Sequence, residues 1–249
     1  MADAASSGPA QASVRPAALL RGAWRSNYFL LKKLHSLTGV VPVGAYLVVH
    51  LATNAAVLAG PEMFQARVDA IHALRPFLIF LEVFGILVPI AFHAALGLQI
   101  WWMGKNNVRT YPYGGNIRYT LQRVSALIIL VFLVYHVWQM HWLGMPSLGG
   151  SLFDPHRPNA PYSAAAAIQR HAWVPWFYAL GIIAACYHLA NGMWAFLISW
   201  GITVGPNAQR KAGWLCAVAG MLVCVMGLGA LWTFATRPLE WFRIAAPHG

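Results

Sequence analysis

Five uninterrupted apolar stretches, each about as long as a bilayer is thick, limit what this chain can fold into. They run roughly over residues 34–58, 77–103, 119–144, 173–200 and 213–236. A helix rising ~1.5 Å per residue needs about 20 apolar residues to cross a hydrocarbon core of about 30 Å. A soluble bundle would alternate apolar and polar helix faces, and these stretches have no polar face. Charged residues make up 9% of the chain and hydrophobic ones 59%, whereas an ordinary soluble domain is about 25% charged. The expected fold class is all-α: an integral membrane bundle of five transmembrane helices, N-terminus inside and C-terminus outside.

The formal charge of +11 reads as topology and excludes nucleic acid as the partner. On the side of the N-terminus stand Arg15, Arg21, Arg25, Lys32, Lys33, Lys105, Arg109, Arg118, Arg123, Arg210 and Lys211, with Asp3 as their one acid. The opposite side holds Arg67, Arg75, Arg157, Arg170, Arg237 and Arg243, diluted by Glu62, Asp69, Asp154 and Glu240. Loops rich in Lys and Arg stay cytoplasmic. The first residues, MADAASSGPAQASVRPAALL, lack the apolar heart of a signal peptide. Expected domains are a disordered cytoplasmic tail over 1–28, a membrane domain over 29–236 and an external tail over 237–249. The longest connection, about 145–172, is Pro-, Gly- and Ser-rich with room for a short interfacial helix. Cys186, Cys216 and Cys224 all fall within apolar stretches, so neither a disulfide framework nor a zinc site is indicated.

Ionisable groups within membrane helices are costly and mark function by default. Each of the first four apolar stretches carries one deep histidine: His50, His93, His136 and His188. A single such residue is usually a satisfied interhelical hydrogen bond, but one on each of four helices calls for a shared explanation. Counted along alternating helices, His50 and His136 lie ~24 Å from the inner face, and His93 and His188 ~15–19 Å from it. Two ligands at one depth on different helices can hold one cofactor. Zinc wants three or four protein ligands, whereas a b-type haem takes two axial imidazoles. Gly97 and Gly192 each follow such a histidine by one helical turn, where a missing side chain lets a flat ring approach; taken alone, close helix packing is the better explanation of them. Pro42 and Pro89 can bend their helices nearby. His35, beside Lys32 and Lys33, matches neither depth. With Ser36 and Arg123 it can bond a haem propionate or a quinone, or be a plain interfacial residue. His141, five residues past His136, falls off the ligand face. His72, His156, His171 and His248 read as solvated, and the tryptophans near helix ends as an interfacial belt.

The segments KLHSLTGVVPVG, VVHLATN, LEVFGILVPIAFHAALG, GKNN, LQRVSALI, VYHVWQ and YHLANGMWAFLISWGITVGPNAQR closely resemble the membrane cytochrome b subunit of two-haem succinate dehydrogenases and fumarate reductases. The resemblance spans about residues 29–210. It implies a five-helix anchor with two b haems and a quinone site, docked at its cytoplasmic face to a flavoprotein and an iron–sulfur protein. It implies an inner haem held by His93 and His188 and an outer one held by His50 and His136. Some fumarate reductases of this kind place a Glu two residues before the fourth-helix ligand, for transmembrane proton movement. Cys186 stands there in this chain, which puts that route in doubt.

The expected function is therefore electron transfer between a cytoplasmic iron–sulfur subunit and membrane quinone in a bacterial cytoplasmic membrane; the outer ligand pair, with acids gathered on the exterior side, points to a low-potential quinone, menaquinone. The chain has no nucleophile, carboxylate pair or phosphate loop for succinate chemistry of its own. Glu62, Asp69 and Glu82 are the candidates for proton handling at an outward quinone site. Glu82 is the most unusual, since it sits inside the start of an apolar run; a bond to backbone or interfacial water explains it as well. Two other readings stay open: a cytochrome b anchor for a hydrogenase or formate dehydrogenase, and a haem-free transporter or scaffold.

Overall fold

The computed structural model describes residues 16–245, with side chains from Asn27 onward. Among the described residues the secondary structure is entirely helical, and five helices are long and apolar enough to span a membrane. We label these and two shorter helices in chain order: α1 Asn27–Ala59, α2 Pro61–His72, α3 Leu78–Met103, α4 Gly114–Met140, α5 Ala160–Gln169, α6 Val174–Ser199 and α7 Pro206–Thr236. The chain is a multi-pass membrane protein. Residues such as Val131, Val134, Leu215 and Leu222 face outward and exposed, as a lipid-facing surface requires.

Helix boundaries depart from hydropathy where polar first turns extend the helix. Helix α4 starts at Gly114, ahead of Arg118, and α7 at Pro206, ahead of Arg210 and Lys211. Helical backbone already begins at Pro16, so the expected unstructured tail over 1–28 is helical from that residue on; residues 1–15 lie outside the described residues. The reason is local: the run over residues 17–37 is free of β-branched residues and suits a helix. At the other end Leu239–Phe242 form one tight turn that buries Phe242 completely; residues 246–249 lie outside the described residues.

Two spans contain π-helical turns, Gly39–Gly44 in α1 and Leu81–Leu87 in α3. Proline explains both. Pro42 and Pro89 have no N–H for the carbonyls of Thr38 and Gly85, and the backbone widens to re-satisfy itself.

The spans alternate in direction, so one end of the bundle gathers Lys32, Lys33, Arg118 and Arg123 and is called here the basic end. The opposite end is closed by α2, the 145–159 loop, α5 and the Leu239–Phe242 turn, which together form a cap. The densest apolar core lies there, with Val57, Phe64, Val68, Ala164, Ile168, Phe234 and Phe242 in one cluster. Helices α6 and α7 pack closely: a Cβ at Gly220 would run into the Ala190 side chain. Helices α3 and α4, by contrast, scarcely touch, and a cavity opens between them.

Candidate functional site

One continuous cavity of about 1120 Å³ runs through the bundle from the basic end to the cap. A pocket for one drug-sized ligand is about 300–1,000 Å³, so this volume exceeds that of a single site. Its wall includes His50, His93, His136 and His188, and also His35, Ser36, Glu82, Gly97, Arg123, His141 and Gly192.

The structure brings the four deep histidines together in two pairs. His93 of α3 meets His188 of α6 with ring centroids 6.2 Å apart and planes at 88°. His50 of α1 meets His136 of α4 at 5.7 Å and 77°. Metal–imidazole bonds of about 2 Å on opposite faces of one metal hold ring centroids roughly 6 Å apart. Among the described residues no three His, Cys, Asp or Glu side chains converge as a metal cluster. The donor set is two by two, which suits axial ligation of two planar iron macrocycles and not a tetrahedral ion.

Hydrogen bonds at the far nitrogen orient three of these rings. His93 donates Nδ1–H to the His35 carbonyl at 2.9 Å, and His35 returns the bond from its own Nδ1 to the His93 carbonyl at 3.1 Å. His188 Nδ1 lies 3.2 Å from the Gln122 carbonyl and 3.2 Å from Ser125 Oγ. His136 Nδ1 faces the Tyr178 hydroxyl at 3.2 Å. A donating Nδ1–H leaves the lone pair on Nε2, the arrangement metal-binding histidines use. His50 is held more loosely, with Tyr46 Oη 3.5 Å from Nδ1 and the Asn54 amide bonded to its backbone carbonyl at 2.8 Å. The residues that the sequence reading missed are therefore Tyr178, Gln122 and Ser125. Tyr178 and Ser125 carried a signal, as polar groups beside apolar runs, whereas Gln122 is adjacent to Arg123 and carried none.

At the basic end His35 stacks on His93, with centroids 4.0 Å apart. Gly97 makes this possible, because a Cβ there would stand 3.1 Å from His35 Cε1. Gly192 faces Gln122, whose Nε2 would lie 3.3 Å from a Cβ. Ser36 Oγ donates to the Lys33 carbonyl and accepts from Trp200 Nε1 at 3.1 Å. The Lys33 ammonium bonds the Ser199 carbonyl, and Arg123 donates to Tyr119 Oη at 2.6 Å and lies over the Trp101 ring. This mouth is cationic, and among the described residues no acid lines it.

The three acids expected at the other mouth separate. Glu62 and Asp69 are not on the cavity wall; both are clamped by Arg157, at 2.7 and 3.2 Å. Helix α2 is amphipathic, burying Phe64, Gln65 and Val68 and turning these two acids outward to the 145–159 loop. Glu82 does line the cavity. Its carboxylate accepts from Trp142 Nε1 at 3.3 Å and lies 3.8 Å from His141 Nε2. Burial lowers the His141 pKa from its ordinary value, with Glu82 opposing in part, so the ring is a neutral proton acceptor at neutral pH.

No family model matches the chain. A relative does: over 206 residues the chain is 34% identical to the succinate dehydrogenase cytochrome b558 subunit of Bacillus subtilis (strain 168). The match covers 83% of this chain and 96% of the relative. The chain belongs to the cytochrome b subunits of succinate dehydrogenase. As a member of that family it is one part of an enzyme complex, the membrane anchor, and not a succinate-oxidising catalyst alone. The cytochrome b subunit reading also accounts for a cavity whose wall is mostly apolar, with imidazoles along its length and charged groups at its mouths.

Proposed function

We propose that this cytochrome b subunit carries electrons between a cytoplasmic iron–sulfur subunit and membrane quinone through two b haems. One haem is held by His93 and His188 near the basic end, the other by His50 and His136 nearer the cap. The observation that carries the reading is the pair of facing imidazoles at each of two levels in one cavity. Bound there, the haems supply reversible one-electron exchange along the bundle. The chain's own residues do the rest: they orient the imidazoles, exclude water with an apolar wall, and hold charge at each mouth.

The basic end faces the cytoplasm, as the distribution of Lys and Arg requires, and receives the iron–sulfur and flavoprotein subunits. Lys33 and Arg123 line the cavity there and supply donors for haem propionates, while Ser36, its hydroxyl hydrogen given to the Lys33 carbonyl, fixes the wall between them. The capped end faces outward from a bacterial cytoplasmic membrane. There Glu82 and His141 serve a quinone, menaquinone in our reading, by exchanging protons between its ring oxygens and outside water. Glu62 and Asp69 have a different task, pinning the cap through Arg157. With Cys186 at the position of a potential acid, no protonatable carboxylate on α6 stands near the His188 level.

A pyridine haemochrome assay on purified protein tests the reading, with two haems per chain expected. His93→Ala or His188→Ala should remove one haem, and His50→Ala or His136→Ala the other, each with its own spectral and redox component. A purified wild type without haem would reduce the protein to a scaffold whose histidines merely bond between helices.

A further inference from the structure

The deep histidine of α4, His136, is the end of a buried chain of hydrogen bonds that starts in the cap. Gln139, one turn after His136, is 2% exposed, and Tyr178 of α6 is 5% exposed. Gln139 Nε2 donates to the Ala167 carbonyl of α5 at 2.9 Å. Tyr178 Oη donates to Gln139 Oε1 at 2.7 Å. His136 Nδ1 stands 3.2 Å from Tyr178 Oη.

The direction of this chain is forced from its outer end. Ala167 lies in the last turn of α5, whose carbonyls have no partner within the helix. A carbonyl only accepts, so the Gln139 amide must present its N–H₂ to it and its oxygen to Tyr178. That oxygen takes the hydroxyl hydrogen of Tyr178 and leaves the phenol oxygen as an acceptor alone. His136 must then carry its proton on Nδ1, and Nε2 is left with a lone pair aimed into the cavity. The cap helix is itself fixed: Gln169 Nε2 donates to the Phe234 and Arg237 carbonyls at 2.7 and 2.9 Å. The corresponding nitrogens of the other level, on His93 and His188, meet backbone carbonyls directly and need no such relay.

We infer that Tyr178 and Gln139 are positioning residues for His136, a relay through which the external cap sets the tautomer and basicity of one outer-level ligand. The inference rests on the haem reading of the previous subsection. An acceptor at Nδ1–H raises the basicity of a ligating imidazole, which stabilises the oxidised metal and lowers the potential of the group it holds. Tyr178→Phe removes that acceptor while keeping the ring. Gln139→Leu frees the Tyr178 hydrogen to turn toward Nδ1, which favours the tautomer with its proton on Nε2.

The test is a redox titration followed by low-temperature optical and paramagnetic resonance spectra of purified wild type and both variants. The outer component is identified as the one that His50→Ala abolishes. In Tyr178→Phe we expect both haems retained, the outer midpoint potential shifted upward, and the inner component unmoved. In Gln139→Leu we expect preferential loss of the outer haem. An outer potential and spectrum unchanged in Tyr178→Phe would overturn the relay, as would equal loss of both haems in either variant. Failure of the haem reading looks different, because the wild type itself would then lack two haems.

Discussion

A methyl group at Gly181 would collide with the ring of Phe132, and that ring is stacked on His136 at a centroid distance of 5.5 Å. The glycine is therefore a spacer that lets α6 approach α4 at the level of one histidine pair. Gly181→Ala should displace Phe132 and cost about 1–3 kcal/mol, the usual price of overpacking a filled interior. Thermal unfolding in detergent would read the loss, and a changed outer-haem spectrum would read the push on His136. Gly97 works in the same way for His35. The reading from sequence gave Gly97 and Gly192 two explanations, room for a flat ring or close helix packing. The structure fills those places with the His35 ring and the Gln122 amide, side chains whose approach depends on which helices are neighbours.

At the scale of elements, the cap is where charge and packing meet. Helix α2 lays its apolar face on the core, and Arg157 ties its acidic face to the loop. Gln65 accepts from the Ala160 N–H at 3.0 Å, satisfying one orphan donor at the start of α5. Two histidines beside the cap, His72 and His141, have pKa values lowered first by burial. Each therefore binds fewer protons folded than unfolded as pH falls through the unfolded value of about 6.5, and stability declines there. Asp154 has a depressed folded pKa through its bonds with His156 and Asn159, which outweigh the burial that opposes them. Its contribution is present above the unfolded carboxylate range and is lost only as pH falls through the depressed folded value, below the range in which the two histidines act. Acidification from pH 7.5 to 5.5 should lower amide protection factors, taken relative to the intrinsic exchange rate at each pH, in α2 and in residues 141–145, with the membrane spans little changed. Uniform protection across that range would contradict it.

For the whole molecule, the two histidine levels lie along the bundle and so along the membrane potential. An electron passing from the cytoplasmic side outward moves toward the positive side, and a full crossing gains about 2.3 kcal/mol per 100 mV. We expect succinate-to-menaquinone electron flow in sealed vesicles to fall when an uncoupler collapses the potential, while succinate oxidation with an artificial acceptor at the flavoprotein stays constant. Parallel rates with and without the uncoupler would mean that quinone is reduced near the basic end. The spatial separation of Glu82 and His141 from the cationic mouth is the structural reason for expecting the first result.

The five spans and their count were readable from the amino acids because hydropathy and helical rise are local properties. The one deep histidine in each of the first four spans was visible by the same count. Packing between distant segments decided the rest. Whether an acid reaches the cavity depends on the path of a loop, and Arg157 meets Glu62 from 95 residues away. Which nitrogen of His136 is free depends on Tyr178, 42 residues further along the chain. Periodicity along one helix carries no record of such partners; they exist only once the helices are side by side.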